Sequence, residues 1–254
     1  MEDFVDILKQ LRGENGCPWD IEQTHESLKP CLIEEAYEVV DAIDKKDKES
    51  LREELGDLLL QVIFHANLAE EKGWFDLKDI IESVSEKMIY RHPHVFSDSN
   101  AKNLSQALTT WEKMKKNEKK IFSYTQTMKD IPEVLPALMR SYKVQKKAAD
   151  AGFDWDSIEG AFEKIKEEMG ELMEISNCQN HKKKREEVGD LLFSIVNASR
   201  FLNIEPEDAL RSTIRKFISR FSYIETSVKR SGKELKEMNL DEMETLWEES
   251  KNFF

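Results

Sequence analysis

The octapeptide Arg52-Glu53-Glu54-Leu55-Gly56-Asp57-Leu58-Leu59 returns 133 residues later as Arg185-Glu186-Glu187-Val188-Gly189-Asp190-Leu191-Leu192, with seven of its eight residues unchanged. The same offset carries Glu34-Glu35-x-x-Glu38 onto Glu167-Glu168-x-x-Glu171. With small shifts, Trp19-Asp20 is matched by Trp155-Asp156, Lys87-x-x-x-Arg91 by Lys216-x-x-x-Arg220, and Trp111-Glu112-x-x-Lys115 by Trp247-Glu248-x-x-Lys251. Motifs that recur in one order mark a duplication, so the chain is expected to fold as two copies of one unit. The units are placed at 1–120 and 131–254. A linker at 121–130 separates them, where the charged run Lys115 to Lys120 has ended and helix signals fade. Pro132 and Pro136 fit near the start of the helix that follows, where proline is tolerated.

Each copy reads as helical. Residues 25–44 place Leu28, Leu32, Ala36, Val39, Val40 and Ile43 at helical spacing, and 49–70 do the same with Leu51, Leu55, Leu58, Leu59, Val62 and Ala66. The polar run Asp44 to Lys48 between them predicts a tight turn and two antiparallel helices. The second copy repeats this at 157–176 and 182–202, with a break at Asn177-Cys178-Gln179-Asn180. With only 9 Gly and 6 Pro in 254 residues, long helices are favoured and the fold class is all-α.

The acids keep a register about these turns. Counted from Lys46, Glu38 and Glu54 each lie eight residues away, and Glu35 and Asp57 each lie eleven away. Residues equidistant from the turn of a helical hairpin come level with one another, and residues three apart share a face. Counting from Gln179 gives the same relation for Glu168, Glu171, Glu187 and Asp190. Four carboxylates therefore converge in each hairpin, and their repulsion calls for a counter-charge. An all-oxygen ligand set suits a hard divalent cation, Mg²⁺ or Mn²⁺. A lone EExxE in a chain with 51 acidic residues would be an ordinary solvated face. The paired ExxD, the symmetry about the turn and the duplication point instead to a metal site. Gly56 and Gly189, each inside the second helix of its pair, predict close approach by a neighbouring helix or a ligand.

Other features narrow the function class. A formal charge of −13 argues against a nucleic-acid binder, which needs a basic footprint, but leaves room for a phosphorylated small substrate held through metal. Cys17, Cys31 and Cys178 form no zinc or CxxC spacing and read as reduced thiols. No apolar run is long enough to span a bilayer, and no targeting segment is evident, so a cytoplasmic protein with no membrane partner is expected. Lys87 with Arg91, and Lys216 with Arg220, lie four apart on one helical face, placed to clamp phosphate or to solvate a surface. Trp111 and Trp247 read equally as core residues and as base-stacking platforms. His92-Pro93-His94 lacks the further ligands of a tetrahedral site, and Glu22-x-x-His25 is a single ExxH where di-iron chemistry needs two.

With these residues placed, the chain resembles the MazG family of nucleoside triphosphate pyrophosphohydrolases in its two-repeat form. The first half carries the likeness in Cys17-Pro18-Trp19-Asp20, Gln23-Thr24-His25-Glu26-Ser27-Leu28, Glu34-Glu35-Ala36-Tyr37-Glu38, Glu54-Leu55-Gly56-Asp57 and Arg91-His92-Pro93-His94-Val95-Phe96. The second half carries it in Gly152-Phe153-Asp154-Trp155-Asp156, the two acidic motifs and Leu246-Trp247-Glu248-Glu249. The resemblance implies two tandem helical-bundle domains that pair into homodimers with four-helix-bundle cores, helices from both subunits building each site. It implies cleavage of a nucleoside triphosphate between the α and β phosphates. Glu35, Glu38, Glu54 and Asp57 would be metal ligands of one site, and Glu168, Glu171, Glu187 and Asp190 of the other. Glu34 and Glu167 would orient or deprotonate the attacking water. Competing expectations are a helical module that binds nucleotides without cleaving them, and a narrow-substrate relative acting on dUTP, dCTP or phosphoribosyl-ATP.

Overall fold

The computed structural model describes residues 2–97, 103–118, 123–177 and 179–254. The end of the charged run at 119–120, the first linker residues 121–122, Cys178 of the second turn and the side chain of Glu112 lie outside what is described. Among the described residues every regular element is a helix. The chain divides into two compact units, Met1–Lys119 and Lys120–Phe254.

The first unit contains α1 (Glu2–Leu11), α2 (Pro18–Glu22), α3 (Lys29–Lys45), α4 (Lys48–Glu71), α5 (Leu77–Arg91), α6 (Pro93–Phe96) and α7 (Leu104–Glu118). The hairpin is α3 against α4. Lys46 ends α3 in the left-handed conformation (φ 56°), and the Asp47 carboxylate then accepts from the backbone N–H groups of Glu49 and Ser50 to cap α4. Helix α3 starts at Lys29 rather than at the expected residue 25. Thr24 and Ser27 close a turn of their own, each hydroxyl accepting from the other's backbone N–H, and Pro30 sits in the first helical turn. Helix α1 packs on α4 around Leu8, Leu28, Ile63, Phe64 and Leu68. Arg12 locks that contact: its guanidinium donates to Glu71 and to the backbone oxygens of Asp20 and Gln23.

The second unit contains α8 (Tyr124–Lys129), α9 (Ala137–Ala149), α10 (Ile158–Ile175), α11 (His181–Phe201), α12 (Pro206–Arg230), a short 3₁₀ turn at Leu235–Glu237, and α13 (Leu240–Ser250). The six-residue α8 packs on α9, so most of the stretch expected to be linker is ordered helix. Helices α10 and α11 form the second hairpin, within one residue of the expected bounds, and Asn180 caps α11 by accepting from Lys183 N–H. Gly160 is required in α10: a Cβ there would stand 2.8 Å from the Trp155 ring. At Gly56 and Gly189 the expected neighbouring helix is not found among the described residues. No atom lies within 4 Å of where their Cβ would be, so no helix of their own unit presses on them.

Both hairpins leave large apolar side chains exposed: Ile33, Tyr37, Leu55, Leu59 and Val62 in the first, Phe162, Met169, Met173, Val188 and Leu192 in the second. No described helix is long and apolar enough to cross a membrane.

Candidate metal and phosphate sites

In the first hairpin Glu35 and Glu38 project from α3 and Glu54 from α4, and one carboxylate oxygen from each lies within 4.8 Å of the others. Glu35 is pushed above the usual carboxylate range, first by burial, then by the charges of Asp57 and Glu38. Glu54 is raised in the same way, by desolvation and then by Glu38. Asp57 acts on both glutamates, so all four expected acids share one electrostatic neighbourhood, three of them within ligand distance of a common point. Glu34 is exposed beside the cluster.

The second hairpin repeats the arrangement with Glu168, Glu171 and Glu187, whose oxygens also lie within 4.8 Å. Here Glu168 and Glu187 are buried. Glu187 is raised, by desolvation first and then by a hydrogen bond with Glu171 and its charge, while Lys183 pulls the other way. Asp190 is exposed.

A cation that sequence reasoning passed over sits in this second cluster. Lys164 pairs with Glu168 at 2.6 Å and with Glu167 at 2.8 Å, and these two hydrogen bonds raise its pKa. Its only sequence signal is a lysine three and four residues before the acids on one helix, which reads as a common surface pair. At the 133-residue offset the first repeat has Cys31, and it has Ser50 in the place of Lys183, so the second site carries two lysines that the first lacks.

The basic pairs are placed alike in the two units. Arg91 is buried, donates from Nε to Glu118 at 2.8 Å and lies over the Trp111 ring, which Lys115 also faces. Arg220 lies over the Trp247 ring at the same 5.5 Å and donates to the Phe254 carbonyl, leaving a buried Nε unpartnered. Trp247 also touches Phe217. Both tryptophans thus serve as platforms for arginines within their own unit. Lys87 is half-buried and Lys216 exposed. The charges that act most strongly on Glu35, Glu54 and Glu187 are those of neighbouring carboxylates and, for Glu187, Lys183.

His25 lies apart from the acids. Its Nδ1 meets Nδ1 of His65 at 2.8 Å, the two rings lying edge to edge in nearly one plane, and the Trp74 ring lies parallel to it at 5.6 Å. One ring must donate where the other accepts. Burial, more than the charge of His25, holds His65 below the usual histidine range. His92 donates from Nδ1 to the Met88 carbonyl, one turn back on α5, and its ring sits beside that of His94.

The family model for the MazG nucleotide pyrophosphohydrolase domain matches the chain twice, over residues 23–96 and 157–224. Each match spans one carboxylate hairpin and its basic pair. The chain is 46% identical over 250 residues to the nucleoside triphosphate pyrophosphohydrolase/pyrophosphatase MazG of Thermotoga maritima, covering 98% of this chain and 95% of that one. It is 44% identical over 251 residues to the nucleoside triphosphate pyrophosphohydrolase of Escherichia coli K12, with the same coverage. The uncharacterized protein YabN of Bacillus subtilis is 48% identical over 249 residues, 98% of this chain and 51% of that protein. The chain belongs to the MazG nucleotide pyrophosphohydrolase family, hydrolases acting on phosphoric anhydrides, and carries the family's domain in each half.

Proposed function

We propose that the chain cleaves nucleoside triphosphates between the α and β phosphates, releasing a monophosphate and pyrophosphate, with Mg²⁺ or Mn²⁺ as cofactor. The observation that carries this reading is the twofold cluster of three carboxylates within 4.8 Å, each lying inside one match to the family domain. The donors fit a hard cation: all are oxygens, and burial followed by their interactions with one another raises Glu35, Glu54 and Glu187. Glu35, Glu38, Glu54 and Asp57 would hold one ion set, and Glu168, Glu171, Glu187 and Asp190 the other. When bound, the cation supplies neutralisation of the triphosphate and a lowered pKa for attacking water.

The chain's own groups divide the remaining work. Glu34 and Glu167 stand next to the ligand acids and accept the proton of the attacking water at a carboxylate oxygen. Lys87 with Arg91, and Lys216 with Arg220, neutralise the departing pyrophosphate. Trp111 and Trp247 hold the arginines in place for that contact. A second copy of the chain, packed on the exposed apolar face of each hairpin, would deliver these basic pairs and close each site in a homodimer. At least the second site is catalytic on this reading, and the activity serves nucleotide-pool housekeeping in the cytoplasm.

The test is product identity. Each common NTP and dNTP is incubated with the protein and Mg²⁺, and the products are separated. Monophosphate plus pyrophosphate is expected, with no turnover in EDTA. Release of diphosphate and orthophosphate, or undiminished turnover by metal-free protein, would overturn the proposal.

A further inference from the structure

The two carboxylate clusters differ in what stands one helical turn ahead of their acids. In the second unit Lys164 precedes Glu168 by four residues on α10, and Lys183 precedes Glu187 by four on α11. A spacing of four puts both members of each pair on one face of their helix. In the first unit the same step leads from Cys31 to Glu35 and from Ser50 to Glu54. A cysteine and a serine thus stand where the second unit has two cations.

The Lys164 ammonium lies 2.6 Å from the Glu168 carboxylate and 2.8 Å from that of Glu167. Glu168 is 5% exposed, and a carboxylate so buried is costly without a counter-charge. Lys183 adds a second positive charge acting on Glu187. The first cluster is built otherwise. Glu35 and Glu54 are half-buried and Glu38 is exposed, and the charges acting most strongly on Glu35 and Glu54 are those of other carboxylates. One cluster carries counter-charge in its own sequence, while the other sets its carboxylates chiefly against each other.

We propose that Lys164, supported by Lys183, is an internal counter-ion that competes with the divalent cation for the second cluster, so that the first half fills with metal at a lower free-cation concentration than the second. The inference rests on reading both clusters as cation sites. A cation entering the second cluster must displace an ammonium from Glu168 and meets the repulsion of two lysines; in the first cluster Cys31 offers Glu35 no such competitor. Giving up one charge-assisted hydrogen bond weakens cation binding by about tenfold or more. The two halves of one chain thereby answer to different ranges of free Mg²⁺.

The experiment is a Mn²⁺ titration of the full chain without nucleotide, followed by electron paramagnetic resonance. Glu171→Gln with Glu187→Gln leaves the first cluster to be read alone, and Glu38→Gln with Glu54→Gln leaves the second. The first is expected to bind about tenfold more tightly. Lys164→Met, added to the Glu38 and Glu54 changes, tightens the second cluster by about the same factor, whereas Lys164→Arg keeps the charge and leaves it weak. Lys164→Met also lowers Tm in EDTA, because Glu168 then stays buried without its counter-charge, and Mn²⁺ restores it. The converse change, Cys31→Lys in the Glu171 and Glu187 background, weakens the first cluster and needs no tolerance for the loss of Lys164. Equal affinity in the two halves, or an affinity that neither lysine change moves in protein with unaltered helical circular dichroism, would overturn the proposal and leave the cation sites standing. Mn²⁺ bound by neither half would overturn both.

Discussion

The carboxylates of the two hairpins are held where they repel one another, and this sets the sign of their effect on stability. Glu35 is raised above its ordinary range, so its contribution is fully present below that range and is lost as pH rises through the higher folded value. Glu71 is the opposite case: the hydrogen bonds from Arg12 lower it, so its contribution is present above the ordinary range and is lost as pH falls through the lower folded value. The metal-free first hairpin should therefore gain from losing a charge at neutral pH. We expect Glu35→Gln to raise Tm in EDTA by about 1–3 °C and to shrink the further rise caused by added Mg²⁺. Differential scanning calorimetry with and without metal checks both, and a lower Tm in EDTA would contradict the account. Part of this was legible in the sequence, because equal counts from Lys46 and Gln179 brought Glu38 level with Glu54 and Glu171 level with Glu187. Lys164 was not. A lysine beside glutamates on one helix is too common a pattern to announce that it bridges Glu167 and a buried Glu168.

Secondary structure was most readable where a capping residue coincided with a change of periodicity. The first turn shows this: Lys46 in the left-handed conformation followed by the Asp47 cap falls at the centre that the acid register implied. Lysine there works against its own Cβ. Lys46→Gly should stabilise the protein by roughly 0.5–1 kcal/mol, read from urea unfolding at constant slope, and destabilisation would show that the Lys46 side chain has a compensating contact. The start of α3 was misread because Leu28 continues the apolar pattern, while the reciprocal Thr24 and Ser27 bonds and Pro30 delay the helix to Lys29. Helix α8 was missed for a different reason. At six residues, from Tyr124 to Lys129, it is too short to show a period and depends on packing against α9. Nor could spacing alone decide whether Arg91 and Arg220 face solvent or a neighbouring ring. Their seats over Trp111 and Trp247 depend on α5 meeting α7 and α12 meeting α13.

At the scale of the whole chain, duplication was the strongest signal in the sequence and the family domain is matched once in each half. The two halves are nonetheless unequal. Cys31 stands at the sequence position that Lys164 takes in the second half, and Phe64 fills a position where the second half has Asn197. Each hairpin exposes an apolar face, with Leu55, Leu59 and Val62 on one and Val188 and Leu192 on the other. Pairing of such faces between copies would bury them as helical bundles do. Light scattering at micromolar concentration should then give about twice the 29.7 kDa chain mass, and a monomer throughout that range would remove the proposed delivery of the basic pairs by a second copy. The central claim is that each carboxylate cluster is a divalent-cation site. Its most direct test is a count of bound Mn²⁺ by electron paramagnetic resonance in the wild type, in Glu38→Gln with Glu54→Gln, and in Glu171→Gln with Glu187→Gln. The account predicts that each double variant loses the ions of its own half and keeps those of the other; equal Mn²⁺ binding by all three proteins would contradict it.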